Sequence, residues 1–250
     1  MCRLAAFPPN FPKEAAIDVM ENFFKGTRNN DGTGSAYIRG EQLVANKFPM
    51  PFDDVMKAKL PLLDHMPYNG WTIAHVRQAT HGIVAVKNTH PFIKGKFAVV
   101  HNGVWTDYKL AKVCMGSVKL SGETDSEVVA ALIDRVGPKR LTESARGIGV
   151  VLALSKSGCL WLSKTSGQCE ISMTKHGVLI GSQLPKEYET EYIKEGWMML
   201  DPQGRIRVRH LEGDKGTQSH TGYGHGVHEW KGHREYGQMN PEMFGEGAYD

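Results

Sequence analysis

The sequence predicts an α+β layered domain, with antiparallel sheets inside and helices packed outside. Three observations predict it. Short segments rich in β-formers recur between Gly, Ser and Asp turns. A few longer segments carry apolar residues at helical spacing. The two kinds come in blocks and do not alternate strictly, which argues against a parallel βαβ sheet.

The elements follow in chain order. Leu4 to Phe7 reads as a short buried strand. Lys13 to Phe24 places Ala16, Ile17, Met20, Phe23 and Phe24 at helical spacing. Gly26-Thr-Arg-Asn-Asn-Asp-Gly-Thr-Gly34 is polar and glycine-rich and reads as a loop before a strand over Ser35 to Ile38. Asp53 to Lys59 reads as a short helix closed by Pro61. Trp71 to Val76 and Phe97 to Val100 read as strands, and Thr106 to Val113 as a helix. Asp125 to Val136 is the strongest helix, with Val128, Val129, Leu132, Ile133 and Val136 on one face. Pro138 suits the first turn of another. Val150 to Leu154, Leu160 to Lys164, Val178 to Ile180, Trp197 to Leu200 and Ile206 to Arg209 read as strands.

From Gly213 the chain becomes rich in Gly, His, Glu and Tyr and poor in aliphatic residues. Such a segment buries too little apolar surface to offset its ordering entropy. Residues 2–212 therefore read as the domain and 213–250 as a flexible tail. Tyr223, Trp230, Tyr236, Phe244 and Tyr249 in that tail suit docking on a partner surface.

Composition narrows the function. With 40% hydrophobic and 23% charged residues, the 250-residue chain has the profile of a soluble domain. A net charge of +3 without a basic stripe does not suggest a nucleic-acid binder. No apolar run approaches the roughly 20 residues of a membrane span. The opening Met-Cys-Arg-Leu-Ala-Ala-Phe-Pro-Pro lacks the apolar run of a secretory signal, so a cytoplasmic location is expected. The four cysteines form no Cys-x-x-Cys pair, so no zinc site is expected, and Cys114, Cys159 and Cys169 read as reduced and packed. The histidines of the tail, His220, His225, His228 and His233, are spaced unevenly and read as part of a solvated or partner-docking segment, with a metal site as the alternative; no cofactor is expected.

Four segments carry chemistry. Removal of Met1 would expose the α-amine of Cys2, whose pKa near ~8 suits a base at neutral pH. Thiol and base would then sit on one residue. Alternatively, Cys2 simply starts a strand. His75-Val-Arg-Gln-Ala-Thr-His-Gly82 puts Arg77 at a strand end, where a guanidinium can grip a carboxylate or form a structural ion pair. Phe97-Ala-Val-Val-His-Asn-Gly103 can present the Asn102 amide beside the Gly103 N–H as an oxyanion hole, or form an Asn-Gly hairpin. Gly122-Glu-Thr-Asp-Ser-Glu127 can cap a helix, with a capping box between Thr124 and Glu127, or turn Asp125 toward an ammonium group.

Together and in this order, these segments resemble the signature of class II glutamine amidotransferases, members of the N-terminal nucleophile hydrolases. Arg28-Asn-Asn-Asp-Gly-Thr-Gly-Ser-Ala is similar to the family's glutamine loop, here Arg28, Asp31 and Gly32. The resemblance runs from residue 2 to about 210 and implies a four-layer α/β/β/α sandwich of two antiparallel sheets. It implies that Cys2 attacks the glutamine side-chain amide while Asn102 and Gly103 hold the oxyanion. It implies that Arg77, with Thr80 and His81, binds the α-carboxylate and that Asp125 binds the α-ammonium. Arg3 and Gln78 depart from the Gly and Trp of many relatives. The resemblance implies glutamine as the ligand; no nucleotide-binding glycine motif follows, so a separate synthase or transferase is the expected ammonia acceptor. A hydrolase of another γ-glutamyl compound would use the same Arg77 and Asp125; a non-catalytic assembly subunit is a further alternative, against which the intact Cys2, Asn102, Gly103 and Asp125 argue.

Overall fold

The computed structural model describes residues 2–27 and 29–212. Thirteen strands form two antiparallel sheets among these residues. The first holds β1 (Arg3–Phe7), β2 (Gly32–Arg39), β3 (Gln42–Phe48), β4 (Thr72–Arg77), β9 (Glu170–Thr174), β10 (Gly177–Gly181) and β11 (Glu191–Tyr192). Their order is β11-β9-β10-β1-β4-β2-β3. The second holds β5 (Phe92–Lys94), β6 (Phe97–Asn102), β7 (Val150–Ser155), β8 (Leu160–Lys164), β12 (Gly196–Leu200) and β13 (Ile206–Leu211), ordered β13-β12-β8-β7-β6-β5.

Strand alternation decides the layers. Ala5 and Phe7 of β1 and Ala74 and Val76 of β4 pack with Ala16, Val19, Met20 and Phe23 of helix α1 (Lys13–Thr27). Phe52 and Val55 of α2 (Phe52–Lys57) join this cluster. In the second sheet, Phe97 and Val99 of β6 and Val151 and Ala153 of β7 pack with Val128, Val129 and Ile133 of α4 (Asp125–Ser144). The opposite strand faces carry Leu4, Ala6, Ile73, Val100 and Leu152, all fully buried, where β1 and β4 meet β6 and β7. The layers are thus helix, sheet, sheet, helix. Each fully buried Phe or Leu side chain contributes roughly 1.5–3 kcal/mol.

The helix α4 is two helices across a kink. Gly137 there has φ 81°, a left-handed conformation that disfavours side chains, and Pro138 opens the second segment as expected. The apolar face is shorter than expected, because Val136 beside the kink is 38% exposed.

Several expectations need correction. The strands β3, β5, β9 and β11 were not anticipated. The loop expected over 26–34 is mostly regular structure, with α1 running to Thr27 and β2 starting at Gly32. Gly34 lies inside β2, paired with His75 and Lys47. A Cβ on Gly34 would come within 2.1 Å of the His90 carbonyl oxygen, so this glycine serves close backbone approach. The helix α3 (Tyr108–Cys114) starts two residues later than expected and has no buried residue. Cys114 at its end is exposed, whereas Cys169 is buried and its thiol is pushed up to about 12 by desolvation. No described helix is long and apolar enough to cross a membrane. The expected tail, 213–250, lies outside the described residues.

Candidate active site

The site forms where β1 starts and β4 ends in one sheet, opposite the end of β6 in the other. The register pairs Arg3 with Val76, which brings the residue before β1 to the end of β4. There the Cys2 thiol lies 3.4 Å from both the backbone nitrogen and the carbonyl oxygen of Gln78. Burial pushes the Cys2 thiol up; the Gln78 backbone N–H and the Arg77 guanidinium oppose this, and Asp125 adds to it.

Arg77 is the last residue of β4 and only 2% exposed. One terminal nitrogen, Nη2, donates to the carbonyls of His81 at 2.7 Å and Gly82 at 3.4 Å. The other, Nη1, is buried and has no hydrogen-bond partner among the described residues. Desolvation lowers the Arg77 pKa, offset by the nearby Cys2, Asp31 and Asp125. A buried guanidinium donor without an acceptor is costly in an empty site and becomes favourable once an anion arrives.

Asp31 holds this corner in place. Its carboxylate accepts from the Ala79 N–H at 2.7 Å, and its own N–H donates to the Arg77 carbonyl at 3.1 Å. Gly32 pairs with Arg77 across β2 and β4. Asp31 and Gly32 therefore brace the strand end that carries Arg77, in strand and strand-edge positions. Arg28 lies outside the described residues. Thr80 is exposed on the loop after β4. The His81 ring sits edge-on to Tyr108, with centroids 5.4 Å apart, so what Arg77 meets is the His81 backbone carbonyl.

Asn102 ends β6 and is 8% exposed. Its side-chain Nδ2 donates to Ser182 Oγ at 3.1 Å. Asn102 is therefore in a strand paired with Val150, and the exposed-hairpin reading of Asn-Gly is excluded. Gly103 lies against the neighbouring segment: a Cβ there would meet the Ile148 carbonyl oxygen at 2.0 Å. Only glycine fits without displacing backbone.

Asp125 opens α4 and is 3% exposed. Its carboxylate accepts from the Trp105 N–H at 2.8 Å and the Ser126 N–H at 2.9 Å. Thr124 is the N-cap, accepting from the Glu127 N–H at 3.2 Å. The expected capping box is only half made. The Glu127 carboxylate instead accepts from the N–H groups of Ser121 at 2.8 Å and Gly122 at 2.6 Å and pairs with Lys94 at 2.7 Å.

Residues that sequence reasoning passed over set this geometry. The His101 Nε2 lies 2.7 Å from the Ile148 carbonyl, so it carries the proton and donates. Its Nδ1 then accepts from Ser126 Oγ at 2.9 Å. The His75 Nε2 donates to the His101 carbonyl at 3.0 Å, joining β4 to β6 across the sandwich. All three buried imidazoles near the site are kept neutral. Desolvation holds His75 down to about 3, and it also lowers His101 and His90. The available signal was placement: His75 and His101 each interrupt a run of buried strand residues. Among the described residues, no cluster of His, Cys, Asp and Glu suits a metal ion.

An antiparallel double-sheet sandwich with a thiol next to β1 has the architecture of the N-terminal nucleophile hydrolases. The glutamine phosphoribosylpyrophosphate amidotransferase of Bacillus subtilis superposes with a TM-score of 0.67 at 17% identity, over 84% of this chain and 49% of that chain. A glutamine aminotransferase class-II domain protein from Silicibacter pomeroyi superposes with a TM-score of 0.52 at 14% identity, over 82% of this chain and 98% of that chain. At these identities the likeness concerns the fold.

Residues 1–153 match the family model "Glutamine amidotransferases class-II", and the chain belongs to that family. The glutamine–fructose-6-phosphate aminotransferase of Zymomonas mobilis is 34% identical over 219 residues, 78% of this chain and 35% of that protein. YafJ of Escherichia coli K12 is 32% identical over 134 residues, 51% of this chain and 51% of that protein. The chain thus spans about a third to a half of the length of these relatives.

Proposed function

We propose that this chain hydrolyses the side-chain amide of glutamine through a thioester on Cys2 and yields ammonia for an acceptor on a separate partner. The observation that carries the reading is Arg77 Nη1, a buried cationic donor near the Cys2 thiol without a hydrogen-bond partner among the described residues. It suits the α-carboxylate of an amino acid. Asp125, coupled electrostatically to both Arg77 and Cys2, suits the α-ammonium. With the α-carboxylate and α-ammonium of glutamine held at this end, its side-chain amide extends toward Cys2 Sγ.

The thiol, deprotonated by the α-amine that Met1 removal exposes, adds to the amide carbon. Negative charge develops on the amide oxygen, opposite the second Nδ2 hydrogen of Asn102 and the Gly103 N–H. The tetrahedral adduct collapses, the C–N bond breaks, and the α-ammonium returns its proton to the leaving nitrogen. Ammonia departs and a thioester remains. Water then adds with the amine as base, the C–S bond breaks, and glutamate leaves. Burial raises the Cys2 thiol, so attack requires a proton acceptor, the role the reading gives to the α-amine.

The test is intact-mass and peptide-mass analysis of the purified chain after incubation with a glutamine-like electrophile. The reading expects loss of Met1 and one adduct, on Cys2. Stoichiometric labelling of Cys114 or Cys159 with Cys2 unmodified would overturn it.

A further inference from the structure

Ser182 follows β10 and is 1% exposed. At this point β10 stops pairing with β1: the last paired residues are Ala5 and Gly181. Ser182 nevertheless continues the ladder by one step in a modified form. Its backbone N–H donates to the Leu4 carbonyl at 3.0 Å, as a strand residue would. The Leu4 N–H, however, donates at 3.1 Å to the Ser182 side-chain oxygen, which takes the place of a strand carbonyl. The same oxygen accepts from Asn102 Nδ2 at 3.1 Å. One buried hydroxyl thus joins the strand just after Cys2 to the side-chain amide on the opposite sheet.

The consequence is specific. A primary amide has two N–H groups on one nitrogen. Anchoring one on Ser182 fixes the plane of the Asn102 amide and leaves the other to point at a ligand. Because the anchor also holds Leu4, the amide is located relative to Cys2 as well as relative to its own strand. Oxyanion stabilisation depends on donors fixed in place before charge develops.

The structure assigns Ser182 as a positioning residue that orients Asn102 toward the oxyanion formed on Cys2. This rests on the glutaminase reading above and extends it to a residue outside the family's motifs in this chain.

The test is a double-mutant cycle on the processed full-length chain: wild type, Ser182→Ala, Asn102→Ala and the double variant, with kcat and KM for glutamine and Tm measured for each. Ser182→Ala is expected to lower kcat about 10-fold with KM within about twofold, a fraction of the loss on removing the oxyanion donor outright. In the Asn102→Ala background the same change is expected to leave kcat unaltered, since the group it orients has gone. Ser182→Thr, which keeps the hydroxyl, is expected to recover most of the rate. If Ser182→Ala does not fold, Ser182→Cys takes its place in the cycle. A wild-type kcat for Ser182→Ala, or an equal fold-loss in both backgrounds, would overturn the assignment while leaving the glutaminase reading intact. A wild type that releases no glutamate would overturn both.

Discussion

The two halves of the site are finished to different degrees. On the seven-stranded side, the Cys2 thiol meets the backbone of Gln78, and Arg77 keeps one buried terminal nitrogen without a partner among the described residues. On the six-stranded side, Asp125 already accepts two backbone N–H groups, His101 is bonded through both ring nitrogens, and Asn102 is anchored on Ser182. One half holds groups waiting for a new partner. The other is a scaffold whose internal bonds are made. The difference separates binding and attack from preorganised stabilisation, and it predicts that substitutions in the two halves fail in different ways.

The largest contrast lies between Asn102 and Arg77. Asn102→Ala is expected to lower kcat by about 100- to 1,000-fold, or ~3 kcal/mol, with KM little changed, because one oxyanion donor is lost. Arg77→Ala is expected to raise KM by at least about 10-fold with a smaller change in kcat, because the carboxylate it binds does not change during reaction. Steady-state kinetics on the two variants checks this. Equal losses of kcat in both, at constant KM, would erase the proposed division.

A smaller contrast concerns stability. Asp125→Ala is expected to raise KM, as Arg77→Ala does, but also to lower Tm, since the Trp105 and Ser126 N–H groups lose a buried acceptor at roughly 1–3 kcal/mol each. A thermal melt indistinguishable from wild type would remove Asp125 from the scaffold half.

The smallest effect is on pH. His75 is held down to about 3 and His65 to about 4, both mainly by desolvation. Their folded values lie below the unfolded value near ~6.5, so the unfolded chain binds more protons under acid conditions. Their contribution is fully present above pH ~6.5 and is lost as pH falls from there toward ~3. The Tm should be level between about pH 7 and 8 and decline below ~6.5. A Tm that holds constant down to about pH 4 would contradict the account that burial keeps these imidazoles neutral.

Legibility in the sequence divides along physical lines. Buried strands such as β1, β4, β6 and β7 were readable because both faces are apolar. The strand β3, Gln-Leu-Val-Ala-Asn-Lys-Phe, was not, because it lies at a sheet edge with no residue fully buried and no clean alternation. The strands β5 and β11, of three and two residues, are too short to carry a pattern. In the site, Arg77, Asn102 and Asp125 were readable as motif residues at element ends. That Cys2 meets Gln78 depends on the register of β1 against β4, which a linear pattern does not encode. Ser182 was invisible for a similar reason: a serine after a strand reads as a turn, and its role comes from a contact between the two sheets.

The most direct measurement is release of glutamate and ammonia from glutamine by the chain beginning at Cys2, set beside its Cys2→Ala variant. The account predicts one glutamate and one ammonia per glutamine consumed by the first, and none above background from the second, with both chains equally folded by thermal melt. Glutamate release by Cys2→Ala at the wild-type rate would contradict it.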